Sequence, residues 1–178
     1  HYSEKLNVRH ILVFILAGMA NAIHAQVSYN DVAIIVNTNS SVSPIIGDYF
    51  RVQRSVPVTN MIYVHVDTTE EIDSTTFNVL RSQVENQLLQ NNLHNSINYL
   101  VTTKGVPLKV NRGNTYSQDS PSSSVESELM LVLGNYIEYI GGDGPQMNPY
   151  FYQNAHFSRA SFGIYLVTRL DGYTVQDV

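Results

Sequence analysis

The chain has 178 residues, with 10 Lys and Arg against 15 Asp and Glu for a formal net charge of −5, and it contains neither cysteine nor tryptophan. The acidic balance and the lack of a basic tract exclude a nucleic-acid groove or an anionic-membrane patch as the expected role. Without cysteine there is no disulfide staple, no thiol nucleophile and no thiolate metal site.

Residues 1–25 read as a signal peptide. Lys5 and Arg9 form its basic region and Ile11 to Ala20 its apolar core, with Ile23-His24-Ala25 as a small-residue cleavage pattern before Gln26. That core is shorter than the roughly 20 residues a membrane span requires. The expectation is export to the periplasm, cell surface or exterior with no membrane span. Residues 26–178 are then expected to be the N-terminal part of a single α/β domain.

Asp31-Val-Ala-Ile-Ile-Val-Asn37 is a short β-branched run with polar ends, the pattern of a strand buried on both faces. Ser41 or Ser43 is placed to cap a helix from Ile45 to Arg54, with Pro44 in its first turn and Val56-Pro57 as its stop. Met61 to Val66 is the second strand. Asp73 or Ser74 caps a longer helix to Gln90, in which Phe77, Leu80, Val84 and Leu88 recur at spacings of three and four, with Leu89 as a further candidate for the stripe. Ile97 to Thr103 is the third strand. Strands alternating with helices at these lengths predict parallel βαβ units with right-handed crossovers.

Beyond Val110 the signals weaken. Asn111 to Ser124 reads as an exposed loop, and Val125 to Leu133 as a helix capped by Ser124 with Glu126 and Glu128 in its first turn. Gly141 to Pro145 is a turn cluster, Asn148 to Tyr152 an aromatic patch, and Gly163 to Thr168 the fourth strand. Thr174 would cap a further helix. The bare edge of the fourth strand and that unfinished helix predict a domain truncated at its C-terminus. The fold class is therefore a three-layer α/β parallel sheet in the order 2-1-3-4 with flanking helices.

Tyr-Leu-Val-Thr occurs at Tyr99 to Thr102 and again at Tyr165 to Thr168. The first copy opens into Thr103-Lys104-Gly105 and the second into Arg169-Leu170-Asp171-Gly172. α/β folds bind ligands at the carboxyl ends of their strands, by the switch point, here between the first and third strands. Candidate ligand-binding residues are accordingly Asn37, Lys104, Glu128, Arg169 and Asp171, with Lys104, Arg169 and Asp171 converging and Asn37 and Glu128 at the rim. Arg169 is expected to pair with Asp171, Glu126 or Glu128. Glu126 and Glu128 lie about 200° apart on a helix and would not share a metal.

His65 and His94 have no His or Cys partner at ligand spacing, so no metal is assigned, and His156, in the aromatic loop before the fourth strand, is the one histidine kept in view, with a surface or packing role expected. No Gly-x-Ser-x-Gly elbow surrounds Ser40, Ser41 or Ser43, and no Gly-rich phosphate loop is present, so neither a catalytic residue nor a cofactor is assigned. Tyr150, Phe151, Tyr152 and Phe157 offer ring faces for a sugar or a peptide side chain, with part of the cluster expected to pack in the core.

Five segments together resemble an uncharacterised family of secreted bacterial proteins. They are Tyr29 to Asn37, Asn98 to Leu108, Ser124-Val-Glu-Ser-Glu-Leu129, Asn148 to Phe151 and Tyr165 to Gly172. The resemblance implies architecture and export but no activity. It departs at Glu126, where the family pattern carries Asp. A more distant resemblance is to gingipain-type, caspase-like cysteine peptidases, which share this run of strands and helices and a late strand ending in Arg. Their His and Cys dyad lies on later strands, so no catalytic residue carries over. Two functions stay open: the N-terminal portion of an exported hydrolase-like, peptidase-like domain, or a non-enzymatic extracellular module that binds a small molecule, peptide or glycan.

Overall fold

The computed structural model describes residues 27–111, 122–134 and 148–172, together with Asp177. The leader expected at 1–25, the turn expected at 141–145 and the cap expected at Thr174 fall outside the described residues. The elements in chain order are β1 (Val32–Asn37), α1 (Ser43–Arg54), β2 (Met61–Val64), β3 (Glu71–Asp73), α2 (Ser74–Gln90), β4 (Tyr99–Thr103), β5 (Lys109–Asn111), β6 (Ser122–Ser124), α3 (Val125–Leu129), α4 (Arg159–Phe162) and β7 (Leu166–Leu170).

The main sheet is wholly parallel in the order β2-β1-β4-β7, which is the 2-1-3-4 order read from the sequence. All six residues of β1 are buried, because a strand with a neighbour on each side and a helix over each face has no solvent-facing position. Alternate side chains feed different layers. Ile34 and Val36 pack with Val56 and Met61, flanked by Phe50 of α1, whereas Ala33 and Ile35 join Ile62 and Val64 beneath α2. The buried stripe of α2 is Phe77, Leu80, Val84 and Leu88, as its periodicity requires, while Leu89 is exposed. Gly47 lets α1 lie directly on the sheet, since a Cβ there would collide with Val36 Cγ1.

Two of the three helix caps are those read from the sequence, and the one at α1 is not. Asp73 caps α2 by accepting the Thr76 N–H at 2.7 Å, and Ser124 caps α3 by accepting the Ser127 N–H at 3.0 Å. At α1 neither Ser41 nor Ser43 is the cap. The Ser40 hydroxyl accepts from Ser43 N at 3.2 Å, which frees the Ser43 hydroxyl to turn inward.

β7 begins at Leu166 rather than at Gly163. Gly163 closes α4 in a left-handed conformation (φ 72°), and the Tyr165 N–H is taken by Met130 O at 2.9 Å. The ladder therefore opens with Leu166 N donating to Asn98 O at 3.1 Å, and Arg169 falls inside the strand instead of after it. The helix expected to reach Leu133 stops at Leu129 and continues as turns.

A second sheet, β3-β5-β6, is a structural finding that the sequence does not announce, and its β6 occupies the end of the expected loop. Its strands are three residues long, too short to display a period. Across it Lys109 Nζ meets Glu71 Oε2 at 2.9 Å and Asn111 Nδ2 donates to Glu71 Oε1 at 2.7 Å.

The outer edge of β2 is covered by side chains. Gln87 Oε1 accepts from Tyr63 N at 2.9 Å while its Nε2 donates to Tyr63 O at 2.6 Å. Gln83 repeats the pattern on His65, at 2.6 Å and 3.3 Å. The two amides, one helical turn apart on α2, stand in for a neighbouring strand and block the edge from recruiting another chain.

Candidate functional site

The register of β4 against β7 pairs Thr102 with Arg169 and Thr103 with Leu170. It brings the loop after β4, Lys104-Gly105-Val106-Pro107, beside the end of β7. Lys104 N donates to Leu170 O at 2.9 Å, so the two loops leave the sheet together. Lys104, Arg169 and Asp171 do converge at the carboxyl end of the sheet, as the topology demands.

Arg169 forms the floor. Its Nε donates to Glu126 Oε1 at 2.8 Å, and NH2 forms an ion pair with the same oxygen. NH1 donates to Val106 O at 2.8 Å and NH2 to Pro107 O at 2.7 Å. Thr102 Oγ1 also donates to Glu126 Oε1, at 2.8 Å. Only 12% of the Arg169 side chain and 18% of the Glu126 side chain remain exposed. A planar guanidinium with five donors is suited to binding a carboxylate and two carbonyls at once. Arg169 thereby ties α3, β7 and the Val106–Pro107 loop into one unit.

Lys104 and Asp171 lie above that floor. Lys104 Nζ donates to Gly172 O and stands 3.9 Å from Asp171 Oδ1. The Asp171 carboxylate also accepts from Gly172 N at 2.8 Å. These two side chains keep 38% and 42% of their surface exposed, so both charges reach solvent at the strand ends.

Asn37 is fully buried beneath the loop rather than at the rim. Its Nδ2 donates to Gly105 O at 2.8 Å and Val66 O at 3.1 Å, and its Oδ1 accepts from Asn39 N at 3.2 Å. Asn37 N in turn donates to Ser43 Oγ at 2.7 Å, Ser43 Oγ meets Thr103 Oγ1 at 2.6 Å, and Thr103 Oγ1 donates to Ile35 O at 3.1 Å. Every link is buried, and the network fixes the end of β1 to the end of β4 and the start of α1. Gly105 takes φ 96°, and a Cβ there would run into Ser40, so this turn requires glycine.

Glu128 lies half-buried on α3, two residues beyond the Glu126 that Arg169 holds. Of its three expected partners Arg169 takes Glu126, whereas the Thr102 contact to that carboxylate and the Ser43–Thr103 link go beyond the candidate site. Their one sequence signal is Thr102-Thr103 itself, paired hydroxyls at the end of an apolar strand.

His65 Nδ1 lies 3.1 Å from Thr38 Oγ1 at the exposed end of β2. Among the described residues no group of three or more His, Asp or Glu is placed to hold a metal ion, and no helix is long and apolar enough to cross a membrane. Comparison with protein-family models, curated proteins and solved structures gives no match.

Proposed function

We propose that this chain is an exported α/β protein that binds a polar, carboxylate-bearing ligand at the carboxyl ends of its parallel strands, acting as a binding module. The observation that carries this reading is the division of labour between the two strand-end cations. Arg169 is committed to Glu126 and to two loop carbonyls, which makes it part of the scaffold. Lys104 Nζ donates to Gly172 O and forms only a loose pair of 3.9 Å with Asp171, with both groups near 40% exposed. A loose pair of that exposure is worth little on its own and exchanges readily for a ligand. A ligand carboxylate takes the Lys104 ammonium, and an ammonium or amide N–H of the same ligand takes Asp171. A peptide terminus or an amino acid has this chemistry. Export rests on the tripartite order of residues 1–25.

The hydrolase-like reading is supported by the doubly covered parallel sheet and its strand-end cluster, in which these residues position a substrate for reacting groups carried elsewhere. One titration tests the strand-end site that both readings share, and cleavage in it would place reacting groups within this chain. Trialanine and, as a carboxylate without a partner amine, acetate are titrated into the chain by NMR, and the trialanine is afterwards checked by mass spectrometry. The binding module predicts shifts at Lys104, Gly105, Asp171 and Gly172, loss of binding in Lys104→Ala, and intact trialanine. Cleavage of the tripeptide favours the hydrolase, and no shift at these residues with either probe refutes a strand-end site.

A further inference from the structure

The aromatic segment near the amino end of β4 is divided between core and surface. Phe157 is only 3% exposed, and its ring lies 5.7 Å from Tyr99 and 5.1 Å from Tyr150. Tyr150 also meets Phe162 at 5.0 Å. The next two rings point the other way: Phe151 is 58% and Tyr152 89% exposed. They lie edge to face with centroids 4.3 Å apart.

This exposure is built by the backbone. Tyr152 has φ 59°, a left-handed conformation that side chains other than Gly and Asn rarely adopt. Phe151 N donates to Asn148 O at 2.9 Å, Tyr150 N to Asn148 Oδ1 at 2.8 Å, and Gln153 N to Tyr150 O at 3.2 Å. Tyr150 OH donates to Ala155 O at 3.3 Å, closing the turn over its half-buried ring. The turn is therefore anchored by Tyr150 and Phe157, and its two exposed rings pack edge to face at the surface.

We propose that Phe151 and Tyr152 form a stacking platform for a neutral oligosaccharide. The chemistry around the rings selects that ligand. Residues 148–157 contain no Asp, Glu, Lys or Arg, so apart from His156 the segment carries no side chain that would draw a charged small molecule or a charged polymer. Gln153 and Asn154 are exposed beside the rings with amides that offer both donors and an acceptor, and the exposed Asn148 adds its Nδ2 donors. Ring faces meet the apolar C–H face of a pyranose, and amides read its hydroxyls. A membrane-docking ledge would add basic side chains to the aromatics, and this acidic chain supplies none within the segment. Rigid aromatics flanked by uncharged amides also suit binding because little side-chain freedom is lost on contact. The platform lies at the opposite end of the sheet from Lys104, since Phe157 touches Tyr99 at the start of β4, whereas Lys104 follows its end. It is therefore independent of the carboxylate site.

The test uses the whole chain with cellohexaose, maltohexaose and xylohexaose as soluble probes, alongside trialanine and neutral phosphatidylcholine vesicles. Binding of at least one hexasaccharide is expected, with chemical-shift changes at residues 148–154. Tyr152→Gly and Phe151→Ala should each weaken it, and the double variant should weaken it by about tenfold or more. Both rings are exposed, so the thermal midpoint should stay within a degree or two of the parent, and Tyr152→Gly also relieves the left-handed backbone. Lys104→Ala should bind the hexasaccharide unchanged. Failure of all three hexasaccharides to bind overturns the proposal. So does undiminished binding by the double variant. Equal perturbation of residues 148–154 by the vesicles or by trialanine overturns it too, because the patch would then be a general apolar surface.

Discussion

Arg169 Nε and Glu126 Oε1 lie 2.8 Å apart although the residues are 43 positions apart in the chain. The pair joins a short helix to a strand and holds two loop carbonyls besides. Removing the carboxylate leaves a guanidinium largely enclosed without its counter-charge. Glu126→Ala should therefore cost about 2 kcal/mol, below the cost of breaking a fully buried pair because some exposure remains. Lys104→Ala, at the exposed pair, should cost less than about 1 kcal/mol. Urea denaturation of the two variants checks the contrast. Equal losses would mean that Arg169 is not the scaffold.

Gln83 and Gln87 cover the backbone of Tyr63 and His65 on the free edge of β2. Replacing each with Leu keeps helix propensity and side-chain size while stripping the edge of its partners. The double variant should lose about 1 kcal/mol per glutamine and form concentration-dependent oligomers. Light scattering after size-exclusion chromatography reads the outcome directly, and a stable monomer at high concentration would contradict the role assigned to these amides.

Gly47→Ala would ordinarily strengthen an exposed helix. Here the new Cβ meets Val36 Cγ1, and the variant should be destabilised by about 1–3 kcal/mol as the helix is pushed off the sheet. Val36→Ala removes the obstructing methyl. The double variant should therefore lie above the sum of the two single changes, a coupling that a double-mutant cycle measures.

Stability should fall on both sides of neutral pH. Hydrogen bonds from Lys109 and Asn111 and the nearby ammonium hold Glu71 below the usual carboxylate range, and the Thr76 N–H does the same for Asp73. A depressed carboxylate stabilises the fold fully above its ordinary pKa, and that contribution disappears as pH drops through the folded-state value. Burial raises the hydroxyls of Tyr165 and Tyr99 above their ordinary value near 10. Their neutral forms favour the fold, and stability declines as pH rises from that value through the folded-state pKa. Thermal midpoints across the pH range should trace a dome. Asp73→Asn retains an N-cap acceptor and should flatten its acid limb.

What the sequence determined by itself was the material of each long element and the order of the main sheet. An unbroken apolar run such as Val32 to Val36 needs two covered faces, and the stripe Phe77, Leu80, Val84, Leu88 needs a helix lying on one of them. Those are local periods, readable without neighbours, and they carried Lys104 and Asp171 to one end of the sheet. Tertiary structure decided the rest. Whether Arg169 lay in a loop or inside β7 depended on Met130 taking the Tyr165 N–H, a contact between segments 35 residues apart. Its choice of Glu126 depended on where α3 packs. The burial of Asn37 depended on Gly105 and Val66 arriving above it, and the strands of the second sheet were too short to carry a period. Composition and spacing record what a segment can bury, whereas the partner of a polar group is fixed only when distant segments meet.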